Sequence, residues 1–306
     1  MNVGVVCAAD QSSHVVALAF QKAGFNVTLV VTTSEPVVRP EMTVVSASLA
    51  SVNQLSQAFS GLDFVYINID GQDPLECQQK IVQGTKNIVT AAKNAKVKTL
   101  GFVSGVNVNV ETCEKNYQIA AQYDAELTIK NSGLNYLIFC PSWFIENLKI
   151  FLQDGKICLF ANSRQTMHWL AMDDFAKMVV AAFCDARFNG SKIILKGPQA
   201  LTLQQALERY VKVLHPKNLF TVMPVYLAWV MISFGDQKSK LHWANMCRFF
   251  ESVGEEKNER DTTPFLPAPQ FSLDGWCQLQ AAPQWPLDEV RRGSVSVPRP
   301  LDIAYE

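Results

Sequence analysis

The residues nearest the start of the chain with chemistry to offer are Cys7, Asp10 and Ser13, in the run Val5-Val6-Cys7-Ala8-Ala9-Asp10-Gln11-Ser12-Ser13-His14. An apolar run precedes them and an amphipathic segment follows, leading to Gly24-Phe25-Asn26-Val27, which is the pattern of a strand, a turn and a helix. At such a turn, glycines let the backbone come close to a pyrophosphate whose charge rests on the first amides of the helix. None is present here. The side chains of Cys7, Asp10 and Ser13 crowd the approach, and Asp10 places a carboxylate where phosphate oxygens would rest. Asp10, Ser12 and Ser13 are also good helix N-caps, and a carboxylate at that end competes with phosphate for the same amides.

Other candidate groups are more dispersed. Asp173 and Asp174 are adjacent, so they diverge on a helix, and capping is expected of them rather than paired acid/base work. His14, His168, His215 and His242 are scattered, and His168 reads as a satisfied core or cleft histidine. The eight cysteines show no CxxC pair and no histidine at zinc spacing, so no metal site is expected. Most lie in apolar runs and read as reduced core residues. Cys7 faces a helix N-terminus, which favours a thiolate, but the neighbouring Asp10 opposes it.

These residues must be held by a chain of 306 residues with 48% apolar content, ample for a full core. The formal net charge of -1, with lysines and arginines scattered, offers no footprint for nucleic acid. No signal or transit segment is visible, and the longest apolar run, 219–234, contains Pro224 and falls short of a membrane span. A cytoplasmic protein is expected.

In the first half, apolar strand-like runs (3–7, 26–32, 64–69, 99–104, 136–140) alternate with helical patterns (15–23, 52–59, 78–94, 117–132), which predicts a doubly wound parallel sheet. Later segments predict a turn and helix over 142–151, a hairpin-like piece near 156–160, a helix over 174–184, a strand over 192–195 and a Thr-capped helix over 202–214. The division expected is a dinucleotide-binding-type domain over 1–150, a C-terminal part with further strands and a small, mostly helical subdomain over 151–275, and a Pro-rich extended arm over 276–306.

With these elements in place, the chain resembles the NmrA-like group of atypical short-chain dehydrogenases/reductases, Rossmann-fold proteins, over about residues 1–275. The marks are Gly24, Gly61-Leu62-Asp63, Ser132-Gly133-Leu134-Asn135-Tyr136, Pro141 to Leu148, Met172-Asp173-Asp174-Phe175-Ala176, and Gly197-Pro198 with Leu201-Thr202. Counted back from Gly24, the family's three-glycine fingerprint falls on Cys7, Asp10 and Ser13. The second strand ends in Val30-Val31-Thr32-Thr33, without the arginine that binders of the phosphorylated cofactor often carry and without an acid for a ribose diol. The adenine-contacting aspartate falls on Ser48. The family's chemistry would use a tyrosine with a lysine four residues on, the lysine lowering the phenol's pKa. Tyr117 is followed at that spacing by Ala121 and Tyr123 by Leu127, and Gln122 stands where a lysine is common. Lys115 and Lys130 are expected to be solvated.

The resemblance with these losses implies a non-catalytic structural or regulatory subunit with no catalytic residues and no cofactor. Its partners would be other proteins, met through the arm and through the aromatic and Met-rich stretch 219–250. One alternative is an NADP- or NAD-dependent reductase with an unusual phosphate loop, whose cleft residues would be Cys7, Asp10, Ser13, Thr32, Ser48, Ser104 and Tyr117. Another is a small-molecule or redox sensor.

Overall fold

The computed structural model describes residues 1–7, 10–32, 42–71, 73–153, 156–159, 165–217, 219–222, 255 and 265–282. Its centre is a seven-stranded parallel sheet. The strands are β1 (Asn2–Cys7), β2 (Asn26–Val31), β3 (Thr43–Ser46), β4 (Phe64–Ile67), β5 (Thr99–Val103), β6 (Asn135–Pro141) and, closing the far edge, β10 (Ser191–Leu195). Their spatial order is β10-β6-β5-β4-β1-β2-β3. The order reverses between β1 and β4, so the sheet has a topological switch point there.

Both faces are covered, which is why the central strands are apolar throughout. Helices α1 (Gln11–Lys22) and α6 (Met172–Cys184) pack on one face around Phe20, Phe64, Phe139 and Phe175. The other face carries α2 (Val52–Ala58), α4 (Gly84–Asn94) and α5 (Tyr117–Lys130), around Leu55, Ile81, Ile88 and Phe102. Alternation along one strand serves both: Val5 faces the first cluster and Val6 the second. A short α3 (Pro74–Glu76), N-capped by Asp73, runs into α4 through a π-helical stretch, Cys77–Gln83. Gly24, with φ +87°, makes the left-handed turn from α1 into β2 that other residues adopt only with strain.

Outside the main sheet, β7 (Leu152–Gln153), β8 (Lys156–Leu159) and β12 (Leu219–Val222) form a small sheet, and β9 (Thr166–His168) pairs antiparallel with β11 (Ala200–Thr202). Two helices, α7 (Leu203–Leu214) and α8 (Leu273–Ala281), pack together around Leu207, Tyr210 and Trp276. A capping box joins Thr202 and Gln205 at the start of α7, as a Thr cap requires.

Some sequence readings shift. The helix expected over 142–151 is a 3-10 helix confined to Ile145–Phe151, and the first described residues of the stretch 219–250 form strand β12 rather than helix. Trp276, taken as the first residue of the arm, is buried inside α8. Residues 223–250 and 283–306 lie outside the described residues, and with them the expected docking surfaces. Among the described residues no helix is long and apolar enough to cross a membrane.

Neither Asp173 nor Asp174 caps α6. Its N-cap is Ala171, and the carboxylate of Glu146 reaches in from outside to accept the Met172 amide at 3.0 Å. Asp174 is buried and accepts the Gln270 and Phe271 amides, each at 2.8 Å, so it fastens the segment before α8 onto α6.

Candidate functional site

Parallel α/β sheets bind ligands outside the carboxyl ends of their strands, at the switch point. Here that place lies between the ends of β1 and β4, and α1 begins beside it. Asp10 is the N-cap of α1: its carboxylate accepts the Ser13 amide at 2.8 Å and the hydroxyls of Ser12 and Ser13 at 2.7 and 2.6 Å. Asn68, the first residue after β4, donates its side-chain amide to Asp10 Oδ1 at 3.0 Å and lies equally close to both serine hydroxyls. The cap reading of Asp10 holds, and the helix end is a closed polar knot. Ser13 is fully buried, so a serine fits between helix and sheet where a glycine was expected for close packing.

The other predicted positions spread along the same edge. Cys7 ends β1 opposite Val31, and Thr32 follows β2, partly buried. Ser48 is exposed in the turn before α2, where its amide donates to Gln54 and its hydroxyl accepts from the Ala50 amide, so it builds the turn and joins none of the others. Ser104 follows β5 and is buried, donating its hydroxyl to Glu126 Oε1 at 2.6 Å. Glu126, itself buried, also holds Lys130 at 3.0 Å and Lys192 at 3.3 Å. Lys130 is therefore ion-paired and not simply solvated: the i,i+4 spacing from Glu126 brings the two together on α5.

Tyr117 opens α5. Burial pushes its phenol up from the ordinary value, and Cys77, Asp73 and Asp70 add to the rise. That is opposite to the activation a neighbouring lysine would give. Gln122, in place of that lysine, has its side-chain oxygen close to Gly105 at the end of β5. Cys77 donates its thiol to the Gly71 carbonyl, and burial foremost, with the surrounding acids, pushes that thiol up to about 12. Gln118 of α5 donates to the same carbonyl at 2.9 Å, which ties the loop after β4 to α5.

Further along the edge, past β6 and β10, a second polar group forms. Ser142 donates its amide to the Leu195 carbonyl, and its hydroxyl meets Glu255 Oε1. Glu255 Oε1 also accepts the His168 amide at 2.7 Å, and Oε2 meets His168 Nδ1 at 2.5 Å. Burial alone would raise the Glu255 carboxyl, but the hydrogen bonds from His168 and Ser142 outweigh it and hold the group below its ordinary value. Sequence reasoning missed Asn68, Glu126, Ser142 and Glu255. For Asn68 the signal was its place just after a strand at the reversal of sheet order.

The edge fits a dinucleotide. Asp10 spends its carboxylate on the donors of its own knot, and Asn107, three residues past Ser104, keeps a buried side-chain oxygen that no described residue engages, an acceptor suited to a ligand's N–H or O–H. Among the described residues no group of three or more His, Cys, Asp or Glu side chains could hold a metal.

Comparison with known proteins bears on the fold and the family. Among solved structures the chain is similar to an NADPH-dependent quinone oxidoreductase from Escherichia coli complexed with NADPH, at 17% identity and TM-score 0.71, covering 91% of this chain and 99% of that one. It is similar also to a Citrobacter sp. triphenylmethane reductase complexed with NADP(H), at 15% identity and TM-score 0.70, covering 92% and 100%. A nucleoside-diphosphate-sugar epimerase from Staphylococcus aureus gives 16% identity and TM-score 0.73, covering 91% and 100%. At these identities the likeness is one of fold. No curated protein sequence matches the chain.

The expectation that the chain takes no cofactor is overturned by the match of a family model described as NAD(P)H-binding over residues 10–185. The missing glycines do not by themselves exclude a dinucleotide, because the knot around Asp10 absorbs its charge. A non-catalytic role loses its main support with it. The family model covers residues 10–185, more than half of the chain, and the protein belongs to this NAD(P)H-binding family, the NmrA-like branch of the atypical short-chain dehydrogenases/reductases.

Proposed function

We propose that the protein is a nicotinamide-dinucleotide-dependent reductase acting on a small unsaturated substrate. The observation that carries this reading is the switch point between β1 and β4, with the N-terminus of α1 directed to it. The residues that would hold the dinucleotide are the start of α1 (Gln11 and Ser12), Thr32 beyond β2, and Asn107 beyond β5. With Thr32 in place of an acid, no carboxylate at that position opposes a 2′-phosphate, and the two reductases of similar fold hold NADPH and NADP(H). The phosphorylated cofactor is the better match.

When bound, the reduced dinucleotide supplies a hydride. The chain's own part is to position the acceptor, exclude water and provide a proton. Burial and the surrounding groups keep Tyr117 a protonated phenol, and Ala121 stands four residues on, where the wider superfamily places a lysine. Ser104 is committed to Glu126.

The test is NADPH oxidation by the full chain over a panel of quinones and aldehydes, with NADH run in parallel. The reading expects turnover of at least one acceptor with NADPH favoured. Absence of turnover with either cofactor across the panel contradicts it.

A further inference from the structure

A reductase needs a proton source, and the usual one is missing from α5. The carboxyl edge offers another. His168, at the end of β9, is brought to this edge by its neighbours: its carbonyl accepts the Gly197 amide just past β10, and Ser142, just past β6, is bonded to the Leu195 carbonyl. A dinucleotide at the switch point spans both halves of the sheet, so one half extends over β4, β5 and β6. His168 and Ser142 stand at the end of that half.

The geometry around His168 is that of an oriented acid/base group. Glu255 grips the residue twice, through the backbone amide at 2.7 Å and through Nδ1 at 2.5 Å. The Glu255 side chain is 5% exposed, while the imidazole is 35% exposed. With Nδ1 turned to the buried carboxylate, the other ring nitrogen, Nε2, is left for proton exchange. A carboxylate on Nδ1 fixes the ring orientation and the Nδ1–H tautomer. Ser142, which gives its hydroxyl to the same carboxylate, holds Glu255 in place.

We propose that His168, oriented by Glu255, donates the proton in the reduction; this rests on the reductase reading above. The substrate's unsaturated carbon takes a hydride from the reduced nicotinamide dinucleotide. The π bond breaks, its electron pair moves to the heteroatom, and that atom takes the Nε2 proton of the imidazolium. Neutral His168 then regains a proton from solvent, to which its ring has access. The products are the reduced substrate and the oxidised dinucleotide.

The experiment uses the full chain labelled with 15N-histidine, the His168 signals being assigned with His168→Gln. Three results are expected. The neutral His168 is the Nδ1–H tautomer and loses that preference in Glu255→Ala. Its ring resonances move when NADPH is added. In turnover over the quinone and aldehyde panel, His168→Gln lowers kcat by about 10²-fold or more, the range for loss of a general acid, while NADPH affinity stays within about threefold of wild type.

An Nε2–H tautomer, ring signals unmoved by saturating NADPH, or wild-type kcat in His168→Gln each overturns the role of His168 and leaves the reductase reading standing. A wild type that neither binds NADPH nor turns over overturns both.

Discussion

Asn68 and Asp10 are bonded side chain to side chain at 3.0 Å across the gap between the ends of β4 and β1. These two strands flank the point where the sheet order reverses, so the bond closes the floor of the crevice where a dinucleotide's pyrophosphate would rest. With Ser12 and Ser13 it makes a polar knot that replaces glycines and keeps the helix dipole partly satisfied from within.

The knot should therefore weaken phosphate binding without abolishing it. Asp10→Gly combined with Ser13→Gly removes a negative charge and two side chains, and NADPH affinity should rise about tenfold, equivalent to about 1.4 kcal/mol. Calorimetry of the double variant checks this. An unchanged affinity would mean that the loop does not limit binding.

Glu146 predicts a pH dependence of stability. Burial foremost raises its carboxyl from 4.5 to about 7, against the lowering effect of hydrogen bonds that include the one from the Met172 amide. Between those values the unfolded chain has released the proton and the native state retains it, so stability falls as pH rises through this window. The loss is on the order of 3 kcal/mol. Glu146→Gln keeps an acceptor for the Met172 amide and carries no charge. Denaturant unfolding should show it more stable than wild type by a few kcal/mol at pH 8 and nearly equal to it at pH 4.

Much of the sheet was legible because its strands are short apolar runs buried on both faces. Asn2–Cys7 and the Thr202 cap of α7 are examples, since pattern and local chemistry agree there. Strand β3 escaped because, as an edge strand with exposed ends, Thr43–Ser46 shows no such run. The site was legible only where partners lie close in sequence, as Asp10, Ser12 and Ser13 do. Contacts such as Glu126 with Ser104, or Glu255 with His168, are created by the fold and leave no local spacing to read. The glycines are missing, but an empty cleft does not follow from their absence, because the Asp10 carboxylate is engaged by Asn68 from 58 residues away in the chain.

Glu126 holds a buried hydroxyl and two ammonium groups together behind the edge. Glu126→Gln preserves the shape and an acceptor for Ser104 but removes the negative charge that Lys130 and Lys192 share. A loss of about 1–3 kcal/mol is expected, below the full cost of breaking a buried pair because the lysines are partly exposed. Urea unfolding at neutral pH measures it, and an unchanged midpoint would show that the cluster does not support the fold.

Gly197 lies against the backbone beside His168. A Cβ placed there would meet the Trp169 carbonyl oxygen at 1.7 Å, and the backbone can yield little. Gly197→Ala should lower stability by about 2 kcal/mol or more. It should also disturb His168 through the hydrogen bond from the Gly197 amide to the His168 carbonyl. The His168 ring signals in the variant report the second effect, and native signals with native stability would exclude both.

The most direct measurement of the central claim is titration calorimetry of the purified full chain with NADPH at moderate salt, with NADH as the comparison. The account predicts saturable binding of one NADPH per chain, tighter than NADH, despite the absence of the glycine loop. No heat of binding with either dinucleotide, at concentrations up to the millimolar range, would contradict it.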